Sequence, residues 1–247
     1  MNENLVLLIS DDSSYLVNIT DEKINTSHGW IDLSKIRSKT FGSSVKSSTG
    51  KEFTIVKPNI IDILKKRVKR SAQVMLPKDI ASIVANTGIM GDSLIVDAGT
   101  GTGYLAIFLA KLLPKSIIVT YESDKDFFEI AKKNMRLADV WNVKMKKLDV
   151  TKGIQEKNVD LVVLDLKTSS LAIKHAQKCL KAGGWLAIYS PTVDHLIRIT
   201  KALKKFKFTD MKIVENIERE WQSTKTVRPK TMGLMHTGFL TFVRKAA

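Results

Sequence analysis

The sequence predicts an α/β protein: a doubly wound sheet, mostly parallel with its last strand antiparallel, behind a small all-β N-terminal domain. Three observations carry that prediction. A strand, a glycine turn and a helix follow one another from Leu94 to Leu113. From Pro77 onward, strand-like and helix-like stretches alternate, and residues 1–60 contain short β-type runs without sustained helical periodicity. The expected domains are 1–60 and 61–247, with 61–76 supplying a linking helix and the segment that leads into the second domain.

In the first domain, Leu5–Ile9, Tyr15–Ile19 and Phe53–Val56 read as strands. Turn-rich pieces such as Asp11-Asp12-Ser13-Ser14 and the stretch from Ser43 to Gly50 separate them. His28-Gly29-Trp30-Ile31 reads as a turn followed by a strand whose Trp and Ile face the small core. Between Pro58 and Arg70, Ile60, Ile61, Leu64 and Val68 fall on one helical face and basic residues cover the other. Pro77 then sits in the first turn of a helix, where its missing N–H does no harm, with Ile80, Ile83 and Val84 buried and Gly88 as the stop. After the strand at Leu94 and its helix come strand Ile117–Tyr121, helix Asp124–Leu137, strands Val143–Lys147 and Val159–Leu164, and helix Leu171–Leu180. Gly183-Gly184 precedes strand Trp185–Ser190, helix Asp194–Phe206, strand Met211–Val214 and a final strand Thr237–Val243. No helix is readable between the last two strands, so they should pair antiparallel at one edge of the sheet.

Composition narrows the class of protein. With 247 residues, 44% hydrophobic and 26% charged, the chain has enough apolar material for a large core. It has no apolar run of eighteen residues, and its N-terminus lacks the charged flank of a secretion signal, so the expected location is the cytoplasm. Cys179 is the single cysteine, and His28, His175, His195 and His236 are scattered, which predicts neither an internal disulfide nor a metal site. Forty basic residues against twenty-five acidic ones give a net charge of +15. A field of that sign attracts polyanions, nucleic acid first and an anionic membrane second.

The chemistry is concentrated after the strand at Leu94. Gly99, Gly101 and Gly103, separated by Thr100 and Thr102, supply backbone that can take positive φ and let a ligand approach, and the following helix points free N–H groups at it. A dinucleotide fingerprint would place its third glycine where Tyr104 stands. In a doubly wound sheet the ligand lies beyond the carboxyl ends of the strands. Glu122, Asp149 and Asp165 follow three successive strands there, and a carboxylate at Glu122 suits the hydroxyls of a ribose.

Asp97-Ala-Gly-Thr-Gly-Thr-Gly103 resembles motif I of the class I S-adenosylmethionine (SAM) methyltransferases, and Leu180-Lys-Ala-Gly-Gly-Trp resembles the turn before that superfamily's fifth strand. The resemblance implies that Glu122 holds the SAM ribose and Asp149 the adenine amino group. Thr102, Gly103, Tyr104 and Leu105 would meet the methionine end, and Phe127 would cover the adenosyl moiety or serve as a core aromatic. Over nearly its full length the chain resembles the tRNA (adenine-N1)-methyltransferases of the T-loop. The matching residues are Arg70-Ser-Ala-Gln-Val-Met-Leu-Pro-Lys-Asp79, Tyr121-Glu122, Val163-Leu-Asp-Leu166, Tyr189-Ser-Pro191, Glu220-Trp221, Arg228-Pro229 and Gly233-Leu-Met-His-Thr-Gly-Phe-Leu240. This likeness implies a homotetramer acting on tRNA, a catalytic carboxylate at Asp165, Gln73 among the cofactor contacts, and an unstacked target adenine in the pocket. An Asp165 that accepts a hydrogen bond from adenine N6 would make N1 a better nucleophile and stabilise the positive charge that develops on the ring.

Two departures stand out. Motif I opens on Asp97 where that family usually has Glu, and the family's Asp-Leu-Pro element reads Asp165-Leu166-Lys167-Thr168-Ser169. The lost prolines imply a more mobile target-base loop or a phosphate contact from Lys167. Tyr189, Arg228 and His236 are the other expected substrate-side residues. Arg219, Lys225 and Lys230 share a basic loop with Arg228 that would position tRNA without reading its sequence. The alternatives are a tRNA-binding partner subunit without catalysis and a protein isoaspartate O-methyltransferase.

Overall fold

The computed structural model describes residues 4–69, 74–223, 226–231, 233 and 236–246. The chain divides into two compact units, residues 1–69 with 134–139, and residues 70–133 with 140–247.

The first unit contains strands β1 (Leu5–Ile9), β2 (Ser14–Asn18), β3 (Lys23–Thr26), β4 (Gly29–Asp32), β5 (Ser44–Lys46) and β6 (Glu52–Val56), followed by helix α1 (Ile60–Lys66). Four strands form an antiparallel sheet in the order β2-β1-β6-β5, and β3 and β4 pair as a separate hairpin. Leu8, Val17, Ile31, Leu33, Phe53 and Ile55 make its core. Trp30 departs from expectation: it is 49% exposed while Ile31 is fully buried. Neighbours on a strand point to opposite faces, so the two could not both face one core. The linking helix also differs. It ends at Lys66 and buries Ile63 with Leu64, whereas Ile61 lies to the side. Asn59 and Asp62 close its N-terminus as a reciprocal capping box: Asn59 Oδ1 accepts from the Asp62 N–H at 3.1 Å and Asp62 Oδ2 from the Asn59 N–H at 2.8 Å.

The second unit runs α2 (Pro77–Thr87), β7 (Leu94–Ala98), α3 (Tyr104–Leu112), β8 (Ile117–Tyr121), α4 (Lys125–Leu137), β9 (Val143–Lys146), β10 (Val159–Leu164), α5 (Ser169–Cys179), β11 (Leu180–Ser190), α6 (Val193–Leu203) and β12 (Phe208–Glu215). A short hairpin, β13 (Trp221–Ser223) and β14 (Val227–Pro229), precedes β15 (Phe239–Lys245). The last part of α4 groups with the first unit. Seven strands form one sheet in the order β12-β15-β11-β10-β7-β8-β9. Strands β7 to β11 are mutually parallel, and β15 runs antiparallel to both β11 and β12. Val96, Leu164, Leu186 and Ile188 of the sheet pack with Ile173 of α5 and Ile199 of α6 in one buried cluster.

Two segments that read as loops are in fact paired. Gly183-Gly184 lies inside β11, beside a register shift between Val159 and Leu161 of β10. A Cβ on Gly184 would stand 2.9 Å from the Val159 carbonyl oxygen, so the glycine marks a close strand approach instead of a turn. The β13–β14 hairpin lies in the stretch that carries no helical or alternating apolar pattern.

Candidate functional site

The order of the sheet reverses between β7 and β10, and their carboxyl ends form the crevice where ligands of such sheets lie. The turn after β7 is built from glycine conformations. Gly99, Gly101 and Gly103 have φ of 61°, 53° and 81°, and Gly103 is the left-handed N-cap of α3. Gly99 has no room for a side chain: a Cβ would lie 2.6 Å from the Asp165 carbonyl oxygen and 2.8 Å from Leu166. The turn and the end of β10 thus meet backbone to backbone, fastened by the Asp165 N–H donating to the Ala98 carbonyl at 2.7 Å.

Glu122, just past β8, ties the turn to the next strand. Its Oε2 accepts the Gly101 N–H at 2.9 Å and its Oε1 the Asp124 N–H at 2.9 Å, while the side chain is buried. Each oxygen keeps a lone pair for a further donor. Asp97 is buried below. Its Oδ2 accepts from Thr120 at 2.7 Å and its Oδ1 has no hydrogen-bond partner among the described residues. Burial, and to a lesser degree the charges of Asp165 and Glu122, push its carboxyl up to about 7 against the pull of the Thr120 bond.

Asp165 is partly buried, and its carboxylate has no hydrogen-bond partner among the described residues; burial raises it to about 6. Asp149 behaves differently. Its Oδ1 caps a 3-10 turn at Val150–Lys152, accepting the Thr151 N–H at 2.9 Å and hydroxyl at 2.7 Å, and these bonds hold its carboxyl below the usual range. Phe127, in the first turn of α4, is half-buried, with its N–H donated to Asp124. Tyr104 and Leu105 are buried in the first turn of α3.

On the opposite wall Tyr189 ends β11 with its hydroxyl donating to the Thr237 carbonyl, and burial followed by the charges of Asp79 and Asp165 pushes it up to about 12. Gly238 makes room for the ring, because a Cβ there would fall 2.6 Å from it. Behind Thr237 is a buried polar knot that the sequence pattern does not expose. Asp79 is fully buried in the first turn of α2; its Oδ2 accepts from the Thr237 hydroxyl at 2.7 Å and its Oδ1 from Asn216 Nδ2 at 3.0 Å. Lys78 Nζ donates to the Thr237 hydroxyl at 2.7 Å. The Pro-Lys-Asp run is the available signal: a carboxylate in a helix's first turn reads as a dipole partner, and only the fold brings residues 216 and 237 to it.

His236 is exposed rather than pocketed. Its Nδ1 lies 2.6 Å from Glu215 and its Nε2 3.2 Å from the Pro191 carbonyl, and these contacts raise its imidazole above the ordinary value. Lys167 is exposed at the mouth of the β10–α5 connection, and Arg228 is exposed on β14. Gln73 and Lys225 lie outside the described residues. Among the described residues there is no group of three His, Cys, Asp or Glu that could hold a metal ion, and no helix long and apolar enough to cross a membrane.

Residues 62–236 match the family model of the tRNA methyltransferase complex GCD14 subunit. The chain belongs to that family. It is 34% identical to the Methanocaldococcus jannaschii tRNA (adenine(57)-N(1)/adenine(58)-N(1))-methyltransferase TrmI, over 93% of this chain and 90% of that one. Its identity to a Thermus thermophilus tRNA (adenine(58)-N(1))-methyltransferase TrmI is 28%, over 83% and 81%. Among solved structures, a SAM-dependent O-methyltransferase from Thermotoga maritima superposes with a TM-score of 0.90 at 27% identity, covering 100% of this chain and 94% of that one. The Aquifex aeolicus tRNA (m1A58) methyltransferase TrmI superposes at 0.84 with 20% identity, over 98% and 97%, which supports the fold.

Proposed function

We propose that this protein transfers the methyl group of S-adenosylmethionine to N1 of an adenine in the T-loop of tRNA, forming 1-methyladenosine, and that Asp165 is the catalytic carboxylate. The observation that carries the assignment of Asp165 is its lone, partly buried carboxylate at the switch point of the sheet, back to back with the glycine turn. The family and the relatives named above support the reaction and its substrate.

The residues present fit the cofactor. Gly99 to Leu105 form a turn seated on the end of β10 at Gly99 and facing open space at Gly101, Glu122 keeps free lone pairs beside it, and the Oδ1 of Asp97 is a buried acceptor without a donor among the described residues. In this reading Glu122 holds the ribose, Asp149 and Phe127 the adenine, and the backbone from Thr102 to Leu105 the methionine end. Bound there, the cofactor supplies a methyl group on a cationic sulfur. Asp165 accepts a hydrogen bond from adenine N6, which pushes electron density toward N1 and stabilises the cation that forms there. A site closed to water strengthens that interaction. Tyr189, held by Thr237 and the Asp79 knot, forms a fixed wall for the base, and Lys167, Arg228 and His236 contact the tRNA around it. The working protein is a cytoplasmic homotetramer; Met211 and Ile213 on edge strand β12, with Ile217, Trp221 and Val227 beyond it, are apolar and well exposed, as a subunit contact requires.

The likeness to the Thermotoga maritima O-methyltransferase favours a second reading, transfer to oxygen. One experiment separates them: incubation with unmodified tRNA transcript and labelled SAM, then nuclease digestion and nucleoside mass spectrometry, beside an isoaspartyl peptide. A T-loop 1-methyladenosine is expected. A ribose-methylated nucleoside or a peptide ester instead would overturn the adenine-N1 reading.

A further inference from the structure

Between Leu166 and Thr209 the chain has nine basic residues and one acid, Asp194. More than half of the net charge of +15 is thus gathered in less than a fifth of the chain. That stretch builds α5 and α6, which pack against each other on one face of the sheet. Their inner sides bury Ala172, Ile173 and Ala176, and Ile199 and Leu203. Their outer sides expose Lys174 and Lys178 on α5, and Arg198, Lys201 and Lys205 on and just past α6. None of these five cations pairs with a carboxylate among the described residues.

An ordinary solvated helix does not look like this. Exposed α4 mixes its signs, with Asp126 and Glu129 among Lys125, Lys132, Lys133 and Arg136. The helix dipole favours cations in the last turn, which accounts for Lys178 and Lys201 but not for Lys174 and Arg198 at mid-helix. Lys174 and Lys178 stand four apart on α5, the helical spacing at which like charges repel, and Lys205 adds a further cation one turn beyond Lys201. Such a face is stable next to a polyanion. Both helices begin at the carboxyl ends of their strands, so the face starts beside Asp165, with Lys167 exposed between β10 and α5.

We infer that the exposed faces of α5 and α6 bind the phosphate backbone of the tRNA, leading it away from the reacting adenine. The inference rests on tRNA being the substrate and names the surface that holds it. These contacts act through charge and carry no sequence information, so they set affinity and register, not the choice of base.

The test compares Lys174→Gln/Lys178→Gln and Arg198→Gln/Lys201→Gln with a charge-matched control, Lys115→Gln/Lys132→Gln. Binding to unmodified tRNA is followed by fluorescence anisotropy across salt concentrations, beside calorimetric SAM affinity and steady-state kinetics. Each helix variant should lower the slope of log affinity against log salt by about 1.5, weaken tRNA binding on the order of tenfold at low salt and raise the tRNA KM. SAM affinity and kcat at saturating tRNA should stay as in wild type. Slopes and KM values equal to the control's would overturn the inference. So would loss of binding to phosphatidylserine vesicles with unchanged tRNA affinity. A wild-type protein that binds tRNA through this face but forms no 1-methyladenosine would overturn the catalytic reading and leave the surface standing.

Discussion

The two edges of the central sheet treat charge in opposite ways. At the amino edge, Asp160 accepts the Leu94 N–H at 2.8 Å and pairs with Lys181, while Arg244 donates to the Gly183 carbonyl at 2.8 Å and lies 5.4 Å over the Trp185 ring. A pocket of about 250 Å³ opens there, with Asp160, Lys181, Gly183, Trp185 and Arg244 in its lining. At the carboxyl edge, Asp165 and the Oδ1 of Asp97 have no hydrogen-bond partner among the described residues, and both carboxyls are pushed upward by burial. A charge that the protein neutralises itself belongs to its framework, whereas a carboxylate left open at a strand end is what the proposed site requires. The pocket and the proposed site thus lie at opposite edges, and it is the unspent hydrogen-bonding capacity of Asp97 and Asp165 on which the proposal rests.

The sharpest way to break this contrast is to remove one acid from each edge. Asp165→Ala should lower single-turnover methyl transfer about 10²- to 10³-fold, the usual loss of one electrostatic stabiliser, with SAM affinity within about threefold of wild type. Asp160→Ala should leave turnover within about twofold and instead strand the Leu94 N–H, at a cost of about 1–3 kcal/mol. That corresponds to a melting temperature lower by several degrees. Equal turnover in the two variants would end the comparison.

A glycine from each edge extends the test to the backbone. Gly99 and Gly183 both have positive φ, 61° and 76°. A Cβ at Gly99 meets the Asp165 carbonyl oxygen at 2.6 Å, whereas at Gly183 its nearest neighbours are Arg244 atoms at 3.7 Å. Gly183→Ala should therefore cost only the conformational strain, about 1 kcal/mol. Gly99→Ala adds a backbone collision and should weaken SAM binding, read by calorimetry, by more than tenfold.

These contrasts also mark how far the sequence could be read. The layout of the carboxyl edge was legible because its residues are contiguous with their strands: an apolar run, then Gly99 or Glu122 or Asp165, each found at the end of its strand. The alternation of elements revealed the sheet and its antiparallel last strand for the same reason. What stayed hidden depends on distant partners. Asp79 finds Asn216 and Thr237 through the fold, the β13–β14 hairpin has no pattern of its own, and Trp30 reads as a core residue although strand geometry puts it opposite Ile31. At Asp149 one oxygen caps the turn at Val150–Lys152 through Thr151, and the adenine contact proposed for it would fall to the other.

Glu122 tests the cofactor side alone. Glu122→Gln keeps the shape but replaces one acceptor of a backbone N–H by an NH2 group that faces it. The loss of one charge-assisted bond, about 1.5–3 kcal/mol, should reduce SAM affinity roughly 10- to 100-fold, while Asp160→Ala should not change it. The pH dependence is the next smaller effect. Burial raises Asp165 to about 6, and in the proposed mechanism its ionised form accepts from N6, so transfer should rise with pH through that value. Between pH 5 and 7 the ionised fraction climbs about tenfold. Single-turnover rates should follow it in the wild type and be flat in Asp165→Asn.

The smallest expected effect is the most exacting for the comparison, because it concerns the pocket itself. Arg244→Lys retains the charge but loses the planar group over Trp185 and the Nε–H given to Gly183. One neutral-acceptor hydrogen bond and one exposed cation–π contact amount to about 1–2 kcal/mol together, and in a chain of this size that lowers the melting temperature by a few degrees. Methyl transfer and SAM affinity should not move, because the contacts of Arg244, the Gly183 carbonyl and the Trp185 ring, belong to the framework of the amino edge. A variant that melts like the wild type yet transfers methyl groups slowly would mean that the amino-edge pocket takes part in function, and that a charge engaged by the protein itself does not distinguish framework from site.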